Sequence, residues 1–372
     1  MRGFRFRFKD HEVSEFDERR VTCIKIWNYA LMLRRKYYEW YGKYLSDGKL
    51  KKFIAKKRAK DPYWSKVNSH WIYKVLDDQD LSYKKFFDKD DPQKRPPKFK
   101  SFRKDYSFCA VFRKDDLFHG CRIENDELVL IQGKGAHNEI SGRKFIKHGW
   151  YPLDRVKSVR IKKHNYRWYL CICCDDENPR KVARDCYGTA GLDFGLKTFI
   201  TLPDGTKIVC PRFLWRNIRK LRRLSRALSR KVKGSKGYER AKKALALFHT
   251  KVANQRDAWQ WRQTHALCKR FDIIKVEDLT LKGWQRLWGR KASDMAIGEF
   301  IKKLKHVAPQ YGTTIVMVDK WFPSSHLCSA CGDKLDRKLN LNERCWTCPI
   351  CFVKHDRDVN AAVNLMNWEP NA

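Results

Sequence analysis

A chain of 372 residues can bury sizeable cores, and the usual domain size divides it into about two or three domains. Its 81 Lys and Arg stand against 42 Asp and Glu, a formal charge of +39 that exceeds any need of solubility and makes a large polyanion the expected partner. No run of about eighteen apolar residues occurs, and the amino terminus MRGFRFRFKD has no apolar leader stretch, so a membrane span is excluded and a soluble, non-exported protein is expected.

In chain order, RGFRFRF (residues 2–8) alternates basic and aromatic side chains, the period of a half-buried strand. Helical spacing follows over about 23–45, with Ile24, Trp27, Leu31 and Tyr38 on one side, and again over about 66–87, with Val67, Trp71, Val75 and Phe86. The Pro-rich, charged DKDDPQKRPPKFKSF (88–102) reads as a connector. Short strand-like runs between 103 and about 180 (YSFCAVF, ELVLI, KSVRI, RWYLCICC) predict a small β-barrel, to which the first strand can belong with the helices inserted. From Gly188 the pattern becomes a strand, a hairpin turning at Pro-Asp-Gly, two long helices and two further strands (271–279 and 313–318). The first long helix, 214–233, sets Leu214, Ile218, Leu221, Leu224, Leu228 and Val232 on one face. Arg219, Arg222, Arg223 and Arg226 stand among the cations covering the rest, which favours contact with phosphates.

Fourteen cysteines in a non-exported chain argue against a disulfide framework. Cys328-x-x-Cys331 and Cys348-x-x-Cys351, separated by sixteen residues, have the spacing of four thiolates closing on one structural Zn²⁺. Cys345 offers an alternative pairing with Cys348, and Cys171, Cys173 and Cys174 read as small buried apolar residues. Three carboxylates sit where strands end or helices begin: Asp193 in AGLDFG, Glu277 in IIKVED, and Asp358 before an Ala-rich helix. Taken singly they could be a turn former, a surface acid and a helix cap. Together, in this order, they match a ribonuclease H type of core, in which such acids hold two divalent ions for phosphodiester hydrolysis. Strand alternation turns Asp278 away from Glu277, whereas Asp356 remains a rival to Asp358.

The stretches GLDFGLKTFITLPDGTKI, KLRRLSRALSRKVKGSKGYERAKKALALFHTKVANQRD, IIKVEDLTLKG, SSHLCSACG and RCWTCPICFVKHDRDVNAAVNL closely resemble, in order, the TnpB family of transposon-encoded RNA-guided DNA endonucleases related to type V CRISPR effectors. The resemblance implies an α+β multidomain protein: a wedge β-barrel (1–22 and 89–186) with an inserted helical recognition domain (23–88), then a RuvC-type nuclease (187–325 and 353–372) with an inserted zinc ribbon (326–352). It implies Asp193, Glu277 and Asp358 as ligands of two Mg²⁺, replaceable by Mn²⁺, and Cys328, Cys331, Cys348 and Cys351 as ligands of one Zn²⁺. It favours Asp358 over Asp356, because the family's last acid stands two residues before the Asn. Arg344 corresponds to a family arginine near the active site, and either clamps the scissile phosphate or pairs with a surface acid. The implied partners are a guide RNA derived from the transposon end, one protein per RNA, and a target double-stranded DNA cut beside a short motif, in a bacterial or archaeal cytoplasm at the nucleoid. Ser69, Tyr73, Lys74 and Lys98 are candidate readers of that motif. The chain departs from the family at Cys345 and at Phe352, where a glycine usually follows the last cysteine. The rival expectations are a compact type V CRISPR effector, a self-sufficient transposase, and a guided regulator without cleavage; the last would lack one of the three carboxylates.

Overall fold

The computed structural model describes residues 2–8, 16–88, 95–102, 107–110, 121–124, 127–133, 136–140, 156–174, 188–337, 339–340 and 343–370. Two compact units divide the chain, Met1–Glu177 and Asn178–Ala372.

The first unit runs β1 (Arg2–Arg7), α1 (Phe16–Tyr41), α2 (Asp47–Lys60), α3 (Pro62–Ser65), α4 (Ser69–Phe87), β2 (Ser107–Ala110), β3 (Cys121–Glu124), β4 (Glu127–Gly133), β5 (Ala136–Ile140), β6 (Val156–His164) and β7 (Arg167–Cys174). Helix α1 begins well before the predicted Cys23. Its first residue, Phe16, is fully buried against the rings of Phe8 and Trp168, at 5.0 and 5.4 Å, and such long-range partners leave no local signal. Tyr38, predicted on the apolar side, is 63% exposed, and Phe86 is only half-buried. Helix α2 was not expected at all. Of its Lys-rich residues only Leu50 and Ile54 are buried, too few to register as a period, while Asp47 in its first turn and Lys57, Arg58 and Lys60 in its last suit the helix dipole. The turns into α3 and α4 are conventional: Asp61 accepts from the backbone N–H groups of Tyr63 and Trp64 with Pro62 following, and Asn68 accepts from His70 N.

Four antiparallel strands form a sheet in the order β1-β7-β6-β2. The β6–β7 hairpin turns on Asn165 and Tyr166, both at positive φ (46° and 64°). Val159 and Ile161 of β6 with Trp168, Leu170, Ile172 and Cys174 of β7 bury one face, and Trp27, Trp71 and Leu76 from the helices complete the same core. Of the three cysteines predicted buried in β7, only Cys174 is; Cys171 and Cys173 alternate to the half-buried face. Strands β3-β4-β5 form a second sheet. The segments that would join the two into a barrel lie outside the described residues. The connector is not loose: residues 95–102 are strapped along α1, Trp27 Nε1 donating to Lys98 O (3.0 Å), Arg35 to Pro97 O (3.2 Å), and Asn28 exchanging two hydrogen bonds with the Lys100 backbone.

The second unit runs β8 (Thr189–Leu192), β9 (Ile200–Thr201), β10 (Lys207–Ile208), α5 (Phe213–Ser229), α6 (Lys236–Arg270), β11 (Ile273–Glu277), α7 (Leu281–Trp288), α8 (Arg290–Met295), α9 (Ile297–Tyr311), β12 (Thr314–Val318), β13 (Cys345–Thr347), β14 (Lys354–Asp356) and α10 (Arg357–Asn367). A parallel sheet has the order β12-β11-β8. Ala190, Leu192, Ile274 and Val276 face a core shared with Trp259 and Leu267 of α6 and Phe300 and Leu304 of α9. The basic hairpin is shorter than predicted: α5 stops at Ser229, so Val232 lies beyond it and is 78% exposed. The helix ends before the KGSKG loop is reached: Arg230 caps it in the right-handed region, Gly234 turns the loop at φ +90°, and Ser235 Oγ then caps α6 by accepting from Tyr238 N (3.1 Å), with Gly237 already inside that helix.

Gly191 alternates to the opposite face of β8, where α10 packs directly on the strand backbone. A methyl group there would meet the carbonyl oxygen of Ala362, the amide of Met366 and, at 2.7 Å, Cβ of Leu365. Backbone cannot swing aside as a flexible side chain can, so Gly191→Ala is expected to destabilise the fold by about 3 kcal/mol or more. Gly48→Ala, near the start of α2 with nothing within 4 Å of the added carbon, is expected to be neutral or slightly stabilising. Chemical denaturation of the two variants measures the contrast.

Candidate active site and metal centre

Asp193 directly follows β8 and is tied to β9, its N–H donating to Thr201 O (3.2 Å) and its carbonyl accepting from Thr201 N (2.9 Å). Glu277 ends β11, one residue past the Val276–Leu192 register pair, which sets it beside Asp193. Its neighbour Asp278 is exposed, as alternation predicts. Asp358 enters from the first turn of α10, the helix seated on Gly191. Burial first, then repulsion from Asp358 and Glu277, pushes the Asp193 carboxyl up to about 7, opposed by Arg357 and Arg344. Burial also raises Glu277. The three predicted acids thus converge on one locus, although their oxygens do not crowd within the 4.8 Å that gathers the cysteines described below.

Asp356 is occupied elsewhere. One of its oxygens caps α10, accepting from Asp358 N (3.0 Å) and Val359 N (3.2 Å), and the other accepts from Lys207 Nζ (2.7 Å). Against the upward push of burial, these partners hold it below the usual carboxylate range. Arg344 pairs with an acid of the candidate site itself: its Nη1 donates to both oxygens of Asp358, at 2.9 and 3.2 Å.

The Sγ atoms of Cys328, Cys331, Cys348 and Cys351 all lie within 4.8 Å of one another, with Cys328–Cys351 at 3.6 Å and Cys331–Cys348 at 3.7 Å. Two similar turns build the cluster. Gly332 N donates to Cys328 O (2.9 Å), and Phe352 N donates to Cys348 O (3.0 Å). Gly332 has φ +78°, and Phe352 adopts φ +61° with its ring 77% exposed, so the turn forms without the usual glycine. Backbone N–H groups, that of Cys351 foremost, push the Cys348 thiol down to about 7. Against the lowering effect of the backbone bond at Asp333, desolvation and then the neighbouring thiols push the Cys331 thiol up to about 12. Four thiol sulfurs gathered this closely are suited to hold one cation as thiolates. Cys345 is exposed on β13 opposite Asp356 and stands outside the cluster.

Sequence reading missed the side chains that join this centre to the carboxylates. His355 is buried, its Nε2 lies 3.1 Å from Cys328 Sγ, and its ring rests on Trp346 at 4.8 Å. Asn360 Oδ1 accepts from Ser329 N (2.9 Å) while its Nδ2 donates to Leu327 O (2.7 Å), and Asn364 Nδ2 donates to Ser324 O (2.8 Å). The histidine beside the acids was visible in the motif, but nothing local told which residue it would face. Among the predicted nucleic-acid contacts, Ser69 and Tyr73 line one groove of about 430 Å³ between α2 and α4. Lys74 instead pairs with Asp78 at 3.7 Å, and Lys98 is exposed outside the groove. Arg219, Arg222, Arg223 and Arg226 are exposed on α5.

Family models match two stretches: residues 172–287 match one described as "Probable transposase", and residues 298–365 match "Cas12f1-like, TNB domain". A Streptomyces pristinaespiralis protein named "Putative RNA-guided DNA endonuclease" is 28% identical over 98% of this chain and 88% of its own length. InsQ of Escherichia coli K12, given the same description, is 26% identical over 98% of this chain and 92% of its own. The fold is similar to that of the Cas12f1 chain in a cryo-EM structure of a Cas12f1–sgRNA–target DNA complex, with a TM-score of 0.57 at 15% identity over 97% of this chain and 83% of that one.

The thiol cluster is expected to hold about one zinc per chain, and Cys328→Ser with Cys348→Ser to abolish it; elemental analysis reads both. Asp193 makes a second expectation. Its carboxyl, ordinarily near 3.8, keeps its proton to about 7 in the folded state, so the native state binds more protons in that window. The stability contribution is therefore complete below about pH 4 and is lost as pH rises towards 7. Without divalent ions, Asp193→Asn is expected to exceed the parent protein in stability by about 2 kcal/mol or more at pH 8 and to match it near pH 4. Thermal melts across that range test the sign.

Proposed function

We propose that this chain, a member of the TnpB family, is a transposon's RNA-guided DNA endonuclease whose catalytic carboxylates are Asp193, Glu277 and Asp358. The observation that carries the reading is their convergence, from two adjacent strand ends and a helix start, in a chain whose relatives align over nearly its whole length. In this reading the second unit is a RuvC-type core with the Cys328–Cys351 segment as its zinc ribbon. The first unit is the wedge and recognition region, and Ser69 and Tyr73 belong to the surface that reads the flanking DNA motif. Base pairing with a guide RNA selects the target, and the +39 charge serves the RNA and the heteroduplex.

The donor set fits divalent cations. Burial, and then repulsion among three hard oxygen donors, lets Asp193 retain a proton to about pH 7, and Mg²⁺ or Mn²⁺ would relieve the repulsion where Arg357 and Arg344 do so only in part. Two such ions, when bound, supply an activated water and neutralise the leaving 3′ oxygen. Asp193 must shed its proton to act as a ligand. Arg344 steadies Asp358 by gripping both oxygens. Lys207 neutralises Asp356, which leaves that carboxylate a weak competitor for the same cations. A compact type V CRISPR effector is the second reading, favoured by the Cas12f1-like match over residues 298–365. The chemistry would be the same, and sequencing the copurified RNA separates a transposon-end transcript from a CRISPR repeat.

Asp193→Ala, Glu277→Ala and Asp358→Ala are each expected to lower guided cleavage in Mg²⁺ by about a thousandfold or more, with nucleic-acid binding nearly intact. Asp356→Ala is expected to keep cutting and to lose only about 1 kcal/mol of stability with its helix cap. Parallel nicking and binding assays decide the case; a dead Asp356→Ala beside an active Asp358→Ala would reverse the assignment. Recoding the terminal stretch of the bound RNA is expected to redirect cutting, and equal cleavage by RNA-free protein would sink the guided reading.

A further inference from the structure

The second unit also holds a cavity of about 640 Å³ that the proposed chemistry leaves unused. Its walls come from the start of α5, from α7 and α8, and from the turn that follows Asp193. Two large apolar side chains stand in solvent at its edge, Trp215 at 69% and Leu287 at 72% exposure, with the half-buried Trp288 beside them. Exposed indole is costly to leave in water unless something covers it. Arg212, Arg222, Arg290 and Lys291 interleave with these faces.

The lining contains one acid, and it is already committed. Asp294 is buried, and its two oxygens accept from Leu214 N (2.9 Å) and Trp215 N (3.2 Å). It supplies, from α8, the cap that α5 lacks, because Arg212 at the N-cap sits in the left-handed region (φ 51°) and makes no side-chain cap. The clasp thereby fixes Trp215 at the rim and removes the only carboxylate from play. What faces the ligand is aromatic surface and cationic nitrogen, the recognition chemistry of an unpaired nucleotide: a base to stack, phosphates to pair. The volume lies within the range of small-ligand sites, about 300–1,000 Å³. Leu196 and Lys197 of the wall belong to the turn leaving Asp193, closed by Gly195 N donating to Thr198 O (3.1 Å). An occupant of the cavity is therefore held by the same hairpin as the candidate catalytic aspartate.

We infer that this cavity seats an unpaired base of the DNA strand delivered to the carboxylates, the base stacking on Trp215 while Arg212, Arg222 and Arg290 take the flanking phosphates. The inference rests on the nuclease reading for the strand's identity, but its test does not require cleavage. Full-length protein freed of RNA is mixed, without Mg²⁺, with a short single-stranded DNA carrying iododeoxyuridine, irradiated, and the crosslinks are mapped. Crosslinks are expected on Trp215 or Trp288. Trp215→Ala is expected to weaken single-strand binding by about tenfold, in line with one lost base stack, while Trp215→Phe keeps most of the affinity. Binding of the same sequence as duplex, whose bases are already stacked, is expected to change little. Thermal melts of both variants are expected to match the parent, since the side chain is exposed. Unchanged single-strand affinity in Trp215→Ala, or crosslinks confined to other residues, overturns the inference. So does an RNA strand of the same sequence that crosslinks there in place of the DNA. Asp193→Ala is expected to crosslink like the parent, and an absence of guided cleavage by the parent protein itself would count against the nuclease reading alone.

Discussion

The second unit depends on one close approach, the backbone of α10 lying directly on the backbone of β8 at Gly191. No side chain separates them, and that absence lets Asp358, at the head of the helix, reach the locus where Asp193 leaves the strand. A larger residue would push the helix outward and carry its acid away. The same approach creates the electrostatic conflict at the site, because burial and two neighbouring carboxylates act on Asp193 together. Such a conflict is tolerable in a fold whose remaining contacts over-determine the helix position. Asn360 and Asn364 hold α10 to the Ser324–Ser329 backbone, and Lys275 donates to Trp368 O just past its end.

The thiol cluster belongs to that over-determination. From Cys348 the chain turns through Phe352, pairs β14 against β13, and enters α10, so the carboxylate lies only a short strand away from the last thiol. His355, bonded to Cys328 Sγ, crosses the gap from the side. A cation held by the four thiols would therefore stiffen the path to Asp358, and its binding energy would be in part folding energy.

The charge distribution follows a related rule. The well-placed acids are occupied with internal work: Asp294 clasps α5, Asp356 caps α10 and binds Lys207, Asp61 caps α3, and Asp80 accepts from Arg34 and Tyr44. Arg34 itself is buried, with the rings of Tyr44 and Tyr83 against its guanidinium at 4.8 and 5.3 Å. Helix α5 itself contains no acid, so its outward surface carries its arginines without a carboxylate on the same helix. Such a surface attracts phosphate at long range and yields to salt.

Much of the site was legible in the sequence because its signals are local. Thiol spacing depends only on covalent reach, and the positions of Asp193, Glu277 and Asp358 at element ends follow from hydrophobic periods a few residues long. Other features depended on partners far along the chain. Phe16 begins a helix because Phe8 and Trp168 bury it, and α2 survives on two buried residues that no period advertises. The rivalry between Asp356 and Asp358 was undecided locally, since both precede the same helix. Tertiary structure separates them by giving Asp356 the cap and Lys207, and Asp358 the proximity of Asp193. Arg344, His355 and the cavity beside Trp215 belong to the same class, residues whose types were plain but whose partners were not. Short-range covalent and periodic constraints are written in sequence order, whereas the pairing of side chains across the core is set by which backbones can approach, and at Gly191 only the fold determines that.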